Sequence, residues 1–504
     1  MMDERGSGVL LHITSLPGEH GIGDLGAGAR RFVDFLAAGG QRYWQFLPIG
    51  PCSRIFDNSP YMSLSAFAGN PLLIDPEQLV ADGFLADSDL RHRPEMSEYV
   101  VEFDKVIPHK TGLLRLAYEN FKLRGEDEDF LRFNREEAEW LDDYSLFMAI
   151  RGERKQQAWC RWPKPLALRA ASALADCRRR LAEVIGYHCF VQYCFFKQWR
   201  ALRSYAAAHG VALVGDIPIY VSFDSADVWA HADCFRLDGR TMLPTHVAGV
   251  PPDYFSATGQ RWGNPLYRWE AGRGKVNRPL YDWWLSRFRQ IFRTVDIVRI
   301  DHFRGFESYW EIPAEEETAI KGRWVKGPGQ PFFKAMAAAI GELPIIAEDL
   351  GLITSEVEAL RDALGFPGMK ILQFAFDSDA ENLYLPHNYR TTNCVVYTGT
   401  HDNDTTLGWY MSPDVPEASK AKARRYANCS GKDIHWNFLR LALSSVAHTA
   451  LLPLQDVLGF GADCRMNRPS TCNGNWSWRC APRFLADELA RRLRDETAFY
   501  GRIR

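Results

Sequence analysis

The sequence predicts an α/β protein built on one (β/α)8 TIM barrel with inserted subdomains. Eight short apolar stretches read as buried strands, and amphipathic segments follow several of them, as EVEALRDALG follows the fifth. Strands alternating with helices imply a parallel sheet, and eight is the number that closes it into a barrel. The third observation is surplus length: the chain has 504 residues, where a plain barrel needs about 250. An open doubly wound sheet is the alternative that periodicity alone leaves open.

The strands follow in order. GVLLHI (8 to 13), YWQFLPI (43 to 49), VALVGDIPIYV (211 to 221) and IVRIDHF (297 to 303) are the first four. LPIIAEDLG (343 to 351), MKILQFAF (369 to 376), CVVYTG (394 to 399) and ALLPLQDVL (450 to 458) complete the set. Residues 76–205, between the second and third strands, carry helical patterns such as DDYSLFMAIRGE and read as a mostly helical inserted subdomain. Within them GEDEDF (125 to 130) is a solvated loop or a helix start. Residues 222–290, between the third and fourth strands, are rich in Gly, Pro, Tyr and Trp. They follow the C-terminal end of a strand, where barrels place their active sites. With no internal repeat and no low-complexity linker, residues 1–504 read as a single catalytic barrel carrying these two insertions.

Composition narrows the function. The chain is 46% apolar and 24% charged, enough to bury a large core. Its 60 basic and 63 acidic residues give a net charge of -3 with no evident basic face, which speaks against nucleic acid as a partner. The 11 cysteines include no CxxC pair, and MMDERGSG carries no apolar signal core, so a reduced cytoplasmic protein is expected. No apolar run approaches the roughly 18 residues of a membrane helix, and no membrane partner is expected. The 16 Trp, 19 Tyr and 30 Phe, 13% of the chain, serve a large core first, but they also suit a cleft that binds sugar rings.

Charge stands out on the fourth strand. Arg299 and Asp301 are two apart in IVRIDHF and share a strand face. Asp301 ends that strand, Glu348 ends the fifth, and Asp402 lies just past the seventh in YTGTHDNDT, so three carboxylates converge on one barrel mouth. Singly, Asp402 has a structural explanation as a helix cap and Glu348 as the partner of a core arginine. As a set they match glycoside chemistry. That chemistry needs one carboxylate to attack or stabilise an oxocarbenium-like centre and a second carboxyl, kept protonated, to donate to the leaving oxygen. Arg299 would hold Asp301 ionised and oriented, while the pKa of Glu348 is expected to be raised. Asp349, on the opposite strand face, and Asp404, in a turn, read as structural.

These motifs stand with LLHITSLPG, GIGDLG, SPYMSLSAFAGNPLLID (59 to 75), GDIPIYV (215 to 221), GVPPDYFSATGQRWGNPLYRW (249 to 269), RMN (465 to 467) and NWSWR (475 to 479). In that order, over nearly the whole chain, the sequence resembles the 4-alpha-glucanotransferases of the amylomaltase, or disproportionating enzyme, type, a branch of the alpha-amylase clan. The resemblance implies Asp301 as nucleophile, Glu348 as general acid/base and Asp402 as transition-state stabiliser. It implies that Arg299 supports the nucleophile, that His401 contacts hydroxyls of the transferred sugar, and that Asp216, Tyr61 and Asn403 line the same substrate site. The segment after Gly249 would arch over the cleft, with Pro251 and Pro252 stiffening one limb and Gly259 turning the other, presenting Asp253, Tyr254 and Phe255 to an acceptor sugar.

Two departures from the family pattern touch the cleft rim: CSRIFDN before SPY, with Arg54 and Phe56, and Ser470 where a glycine is typical. His12, His231 and His246 have no metal-ligand spacing, so no metal and no cofactor are expected. The expected function is retaining transfer from alpha-1,4-glucan or maltooligosaccharide donors to the 4-hydroxyl of another glucan or glucose. A hydrolase of the same clan is the nearest alternative. A noncatalytic glucan-binding protein has no need of three convergent carboxylates, and a barrel aldolase would want a lysine at a strand end. The oligomeric state is not encoded in any motif.

Overall fold

The computed structural model describes residues 4–252, 256–272, 274–471 and 473–503. In chain order its strands are β1 (Gly6–Leu10), β2 (Tyr43–Gln45), β3 (Ala212–Pro218), β4 (His246–Val250), β5 (Gln260–Pro265) and β6 (Ile297–Asp301). They continue with β7 (Ser308–Pro313), β8 (Arg323–Lys326), β9 (Ile345–Ala347), β10 (Gly368–Ile371), β11 (Cys394–Tyr397) and β12 (Thr449–Pro453). Eight of them form one parallel sheet in the order β10-β11-β12-β1-β2-β3-β6-β9. All eight overlap the stretches read as strands, and the fold is the (β/α)8 barrel.

The two ends of that order meet at the β9–β10 seam. There the Ala347 amide donates to the Pro367 carbonyl at 2.9 Å. Asp349 completes the seam: its carboxylate accepts from the Met369 amide at 2.7 Å and from Arg361 at 2.5 Å. Glu348 and Asp349 therefore part company, one toward the cleft and one into the seam.

Alternation along each strand explains the packing. On β6, Val298 and Ile300 face the surrounding helices within the main core, whereas Ile297 points into the barrel with Tyr43, Val214, Ile346, Met369 and Tyr397. Each such side chain, fully removed from water, contributes roughly 1.5–3 kcal/mol. Arg299 and Asp301 continue the inward face of Ile297 above this apolar plug, which is why their charges end in the barrel mouth. Gly8 is required by the same crowding, because a Cβ there would lie 2.3 Å from the Tyr43 carbonyl oxygen.

All eight strands end before the stretches read for them, and in two cases the whole remainder is helical. After β10, residues Leu372–Phe376 coil into a 3-10 helix, and after β12 the chain enters a helix at Leu454–Leu458. Apolar run length alone cannot separate a buried strand from a buried helical turn. A second feature escaped the sequence reading altogether: an antiparallel sheet in the order β5-β4-β7-β8. Its strands β4 and β5 lie within 222–290, but β7 and β8 lie beyond it. These strands are short, and Gly249, Gly263 and Asn264 interrupt them, so they carry little strand signal.

Between β2 and β3 the chain is helical, including Phe103–Arg124, Glu128–Glu136, Ala138–Glu153 and Ala182–Ala208. The acidic run at 125 to 130 is a helix start, with Asp127 accepting from the Phe130 amide at 2.7 Å. The Ala182–Ala208 helix reaches the cleft indirectly through two buried amides. Gln192 exchanges hydrogen bonds with Gly69 at 2.8 and 2.9 Å, and Gln198 does the same with Asp75 at 2.7 and 3.0 Å. Both clamp the segment that carries Tyr61. No described helix is long and apolar enough to cross a membrane.

The seam gives a stability prediction. Asp349→Ala strands the mostly buried Arg361 guanidinium and the Met369 amide, and is expected to cost about 2–4 kcal/mol. Urea denaturation at neutral pH measures this, and an unchanged midpoint would mean that the seam does not rely on Asp349.

Candidate active site

Register brings the charged residues together. Across β3 and β6, Asp216 stands opposite Arg299 and Pro218 opposite Asp301. Arg299 is 3% exposed and Asp216 2%. One guanidinium nitrogen of Arg299 donates to both Asp216 oxygens at 2.9 and 2.7 Å, and the other donates to Asp301 at 2.9 Å. Tyr61 adds its hydroxyl to Asp216 at 2.8 Å. One buried arginine thus holds two carboxylates, and only Asp301 keeps a face, 30% exposed, toward the cleft.

Between β6 and β9, Ile300 pairs with Ala347. Extending that register by one residue sets Glu348 beside Asp301 on the same face, at an inter-strand backbone spacing of about 4.8 Å. The Glu348 carboxylate accepts from the His302 amide at 2.6 Å and the Leu350 amide at 2.9 Å. His302 takes a left-handed conformation (φ 55), which turns its N–H toward Glu348 as the chain leaves the strand.

Environment sets the protonation states. Desolvation within the barrel mouth, followed by the charge of Asp301, pushes the Glu348 carboxyl up to about 7, against the opposing pull of Arg299 and the two amides. A carboxyl kept protonated near neutrality is what the sequence reading expected. Burial, with Asp216 and Asp402 adding like charge, raises Asp301 above the ordinary aspartate value, and Arg299 only partly offsets them. Arg299 orients Asp301 and limits its shift rather than lowering its pKa outright.

Asp402 belongs to a different support. Its loop is stapled at both ends by buried Asp456, which accepts from the Thr398 hydroxyl and from the Thr406 amide at 2.6 Å. Asp402 accepts from the Asn467 amide group at 2.6 Å and lies 3.3 Å from His401 Nε2. Its side chain is 47% exposed; partial desolvation in the barrel mouth works against its charge, but His401 and Asn467 outweigh that and hold Asp402 below the usual carboxylate range. The converse holds for His401: burial lowers it, and the Asp402 charge and hydrogen bond bring it above its ordinary value. His401 also stacks on Tyr61, with ring centres 5.1 Å apart and planes at 18°.

The remaining candidates divide. Asn403 accepts from the Thr400 amide at 2.8 Å and the Thr400 hydroxyl at 2.9 Å, so its side-chain oxygen shapes the loop. Asp404 accepts from the Thr405 amide at 2.8 Å and lies 3.6 Å from Arg465. Asp253, Tyr254 and Phe255 lie outside the described residues. Their flanks are described: Gly259 has φ 66, where a Cβ would sit 2.4 Å from the Val250 carbonyl oxygen, and Trp262 meets His302 edge-on at 4.8 Å. No group of three or more His, Cys, Asp or Glu able to hold a metal occurs among the described residues.

Sequence reasoning missed the His302 amide, Asn467 and Trp476, whose ring centre lies 5.9 Å from that of Tyr61 and 6.1 Å from that of His401. The amide leaves no side-chain signature at all. Asn467 and Trp476 lie in RMN and NWSWR, and only the return of that segment from β12 to the Asp402 loop reveals their place.

Comparison with known proteins places this geometry. Residues 11–485 match the family model described as 4-alpha-glucanotransferase. A 4-alpha-glucanotransferase of Synechocystis sp. is 49% identical over 507 residues, covering 100% of this chain and 99% of that protein. One from Thermus thermophilus is 49% identical, covering 97% of each. Among solved structures, the amylomaltase from Streptococcus agalactiae in complex with acarbose superposes with a TM-score of 0.94 at 40% identity, covering 99% of this chain and 100% of that one. The amylomaltase from Corynebacterium glutamicum shares the fold, with a TM-score of 0.76 at 18% identity, covering 99% of this chain and 75% of that one.

Electrostatics here predict a pH profile. A proton-donating Glu348 is active in its protonated form, so kcat/KM for a maltooligosaccharide should fall with unit slope as pH rises through about 7. Initial rates at low donor concentration between pH 5 and 9 test this. A plateau extending beyond pH 8 would contradict the raised carboxyl.

Proposed function

The chain belongs to the 4-alpha-glucanotransferase family, and from that premise we propose how its residues share the transfer of a glucan fragment. The enzyme is a glycosyl-transferring one that disproportionates glucans. Its donors are alpha-1,4-linked glucans and maltooligosaccharides.

Asp301 attacks the anomeric carbon of the donor while Glu348 gives its proton to the departing glycosidic oxygen. The bond to the leaving chain breaks, an ester to Asp301 forms, and the leaving chain departs with a new hydroxyl. Esterification removes the negative charge of Asp301, and with it one of the two influences that raise Glu348. Glu348, now ionised, is better suited to take the proton from the acceptor 4-hydroxyl, whose oxygen attacks the anomeric carbon from the side the leaving chain departed, breaking its bond to Asp301 and releasing that residue as a carboxylate. Two inversions give net retention.

Asp402 and His401, side by side, hold the hydroxyls of the reacting sugar, and the charge of Asp402 steadies the oxocarbenium-like centre. Tyr61 covers an apolar face of that sugar. The 249–262 segment, with Asp253, Tyr254 and Phe255, receives the acceptor and excludes water. We read 76–205 and 222–290 as subdomains grafted on the barrel, and we place the protein in the cytoplasm in view of the free cysteines among its described residues.

The observation that carries this reading is the pair Asp301 and Glu348, register neighbours on adjacent strands. One is held by a buried arginine and the other is raised to about 7. Maltotriose tests the overall reaction. Transfer yields glucose with a ladder of longer chains, whereas glucose and maltose alone would mean hydrolysis. Paired variants test the roles: Glu348→Gln should lose at least 1000-fold on maltotriose yet retain measurable turnover of α-glucosyl fluoride, whose leaving group needs no proton. Asp301→Asn should lose both, and fluoride turnover by that variant through an enzyme-bound ester would refute the nucleophile.

A further inference from the structure

We propose that Arg304 is a positioning residue for the general acid: through the carbonyl of Leu352 it fixes the loop on which Glu348 sits. This rests on the assignment of Glu348 as proton donor and extends it to the group that holds that donor in place.

The loop needs such a hold. β9 ends at Ala347 and the next helix begins at Ser355, so residues 348–354 have neither a strand ladder nor a helical turn of their own. Gly351, at φ 84, turns the chain in the middle of that stretch. Its start is gripped by β6 and the turn after it. The Glu348 amide donates to the Ile300 carbonyl at 3.1 Å, and the Phe303 amide donates to the Glu348 carbonyl at 3.2 Å. The His302 amide then secures the carboxylate itself. Beyond Gly351 the hold is a side chain: a guanidinium nitrogen of Arg304 donates to the Leu352 carbonyl.

A buried guanidinium is a costly way to hold one carbonyl. Arg304 is 4% exposed, and burial lowers its pKa. Glu307, three residues on, pairs with Lys326 instead. The other contacts of Arg304 are the Ser308 hydroxyl at 3.3 Å and the ring of Trp324, whose centre lies 3.8 Å from the guanidinium carbon. Its Nε has no hydrogen-bond partner among the described residues. Ser308 begins β7 and Trp324 lies on β8, so the guanidinium joins the antiparallel sheet to the Glu348 loop. A planar, always charged fork held against a ring fixes direction in a way that a lysine or an apolar side chain does not. Glu307 and Glu348 both act against burial to keep Arg304 charged, which sets the guanidinium within electrostatic reach of the carboxyl it positions.

The experiment reads the first chemical step alone, in single turnover, with two donors. Maltotriose needs a proton on its departing oxygen, and α-glucosyl fluoride does not. Misplacing a catalytic group by about 1 Å costs on the order of 100-fold, so Arg304→Met should slow maltotriose cleavage by about 30-fold or more. Fluoride release should fall by less than about threefold, and the half-saturating maltotriose concentration should stay within about twofold of the parent. Arg304→Lys keeps the charge and is the safer variant for folding; it should lose about fivefold on maltotriose and leave fluoride release unchanged. In the Glu348→Gln background Arg304→Met should slow maltotriose by less than about twofold further, because the group it positions is gone.

Equal losses on the two donors, a full further loss in the Glu348→Gln background, or unchanged maltotriose rates would each overturn the proposal and leave Arg304 a packing residue. Glu348→Gln by itself separates the two assignments. If it slows both donors alike, Glu348 is not the proton donor and the role of Arg304 falls with it. If it spares fluoride release while Arg304→Lys slows both donors alike, the acid assignment stands and the positioning role is refuted.

Discussion

Everything in the site depends on one buried guanidinium. Arg299 lies within the barrel mouth, where an unpaired charge would be costly, and Asp216 and Asp301 make its burial tolerable. The pairing is unequal. Asp216 is held through both oxygens and also accepts from Tyr61, whereas Asp301 is held through one oxygen. The first carboxylate is therefore structural in its bonding, and the second is left with electron pairs to spare. The group carries a net negative charge, and that residual charge reaches Glu348 on the next strand.

Asp402 is organised independently. It rests on a loop stapled by Asp456 and draws its partners from His401 and Asn467, none of which bonds to Arg299. Burial and neighbouring carboxylates raise Asp301 and Glu348, while a histidine and an amide depress Asp402. Three carboxyl groups facing one cleft thus avoid behaving as three equivalent acids. Separate scaffolding is the physical means of that division.

The sequence exposed what regular alternation encodes. On β6 the period of two sets Arg299 and Asp301 on one face, and just past β9 it parts Glu348 from Asp349. The eight barrel strands were legible because each is buried and apolar. The antiparallel sheet was not, since Gly249, Gly263 and Asn264 dilute its pattern and its partners lie on either side of β6. The ends of the β10 and β12 stretches were misread because Leu372–Phe376 and Leu454–Leu458 are as apolar as a strand. Contacts made by backbone amides, such as His302 to Glu348, or across long separations, such as Asn467 to Asp402, leave no periodic trace.

The pairing of β1 with β12 bears on biosynthesis. Leu10 lies opposite Pro453, with more than four hundred residues between them along the chain. At about 5–20 residues per second, a ribosome would need some 20–90 s to supply the second partner of the first strand. For that interval the β1 edge that will face β12 is apolar, extended and open, while the helices and the other strands emerge around it. The barrel, and with it the Asp402 loop packed against the helix after β12, can close only near the end of translation. A nascent chain of this protein is therefore a natural client for chaperones that mask strand edges, and catalytic competence arrives in one late step rather than by degrees.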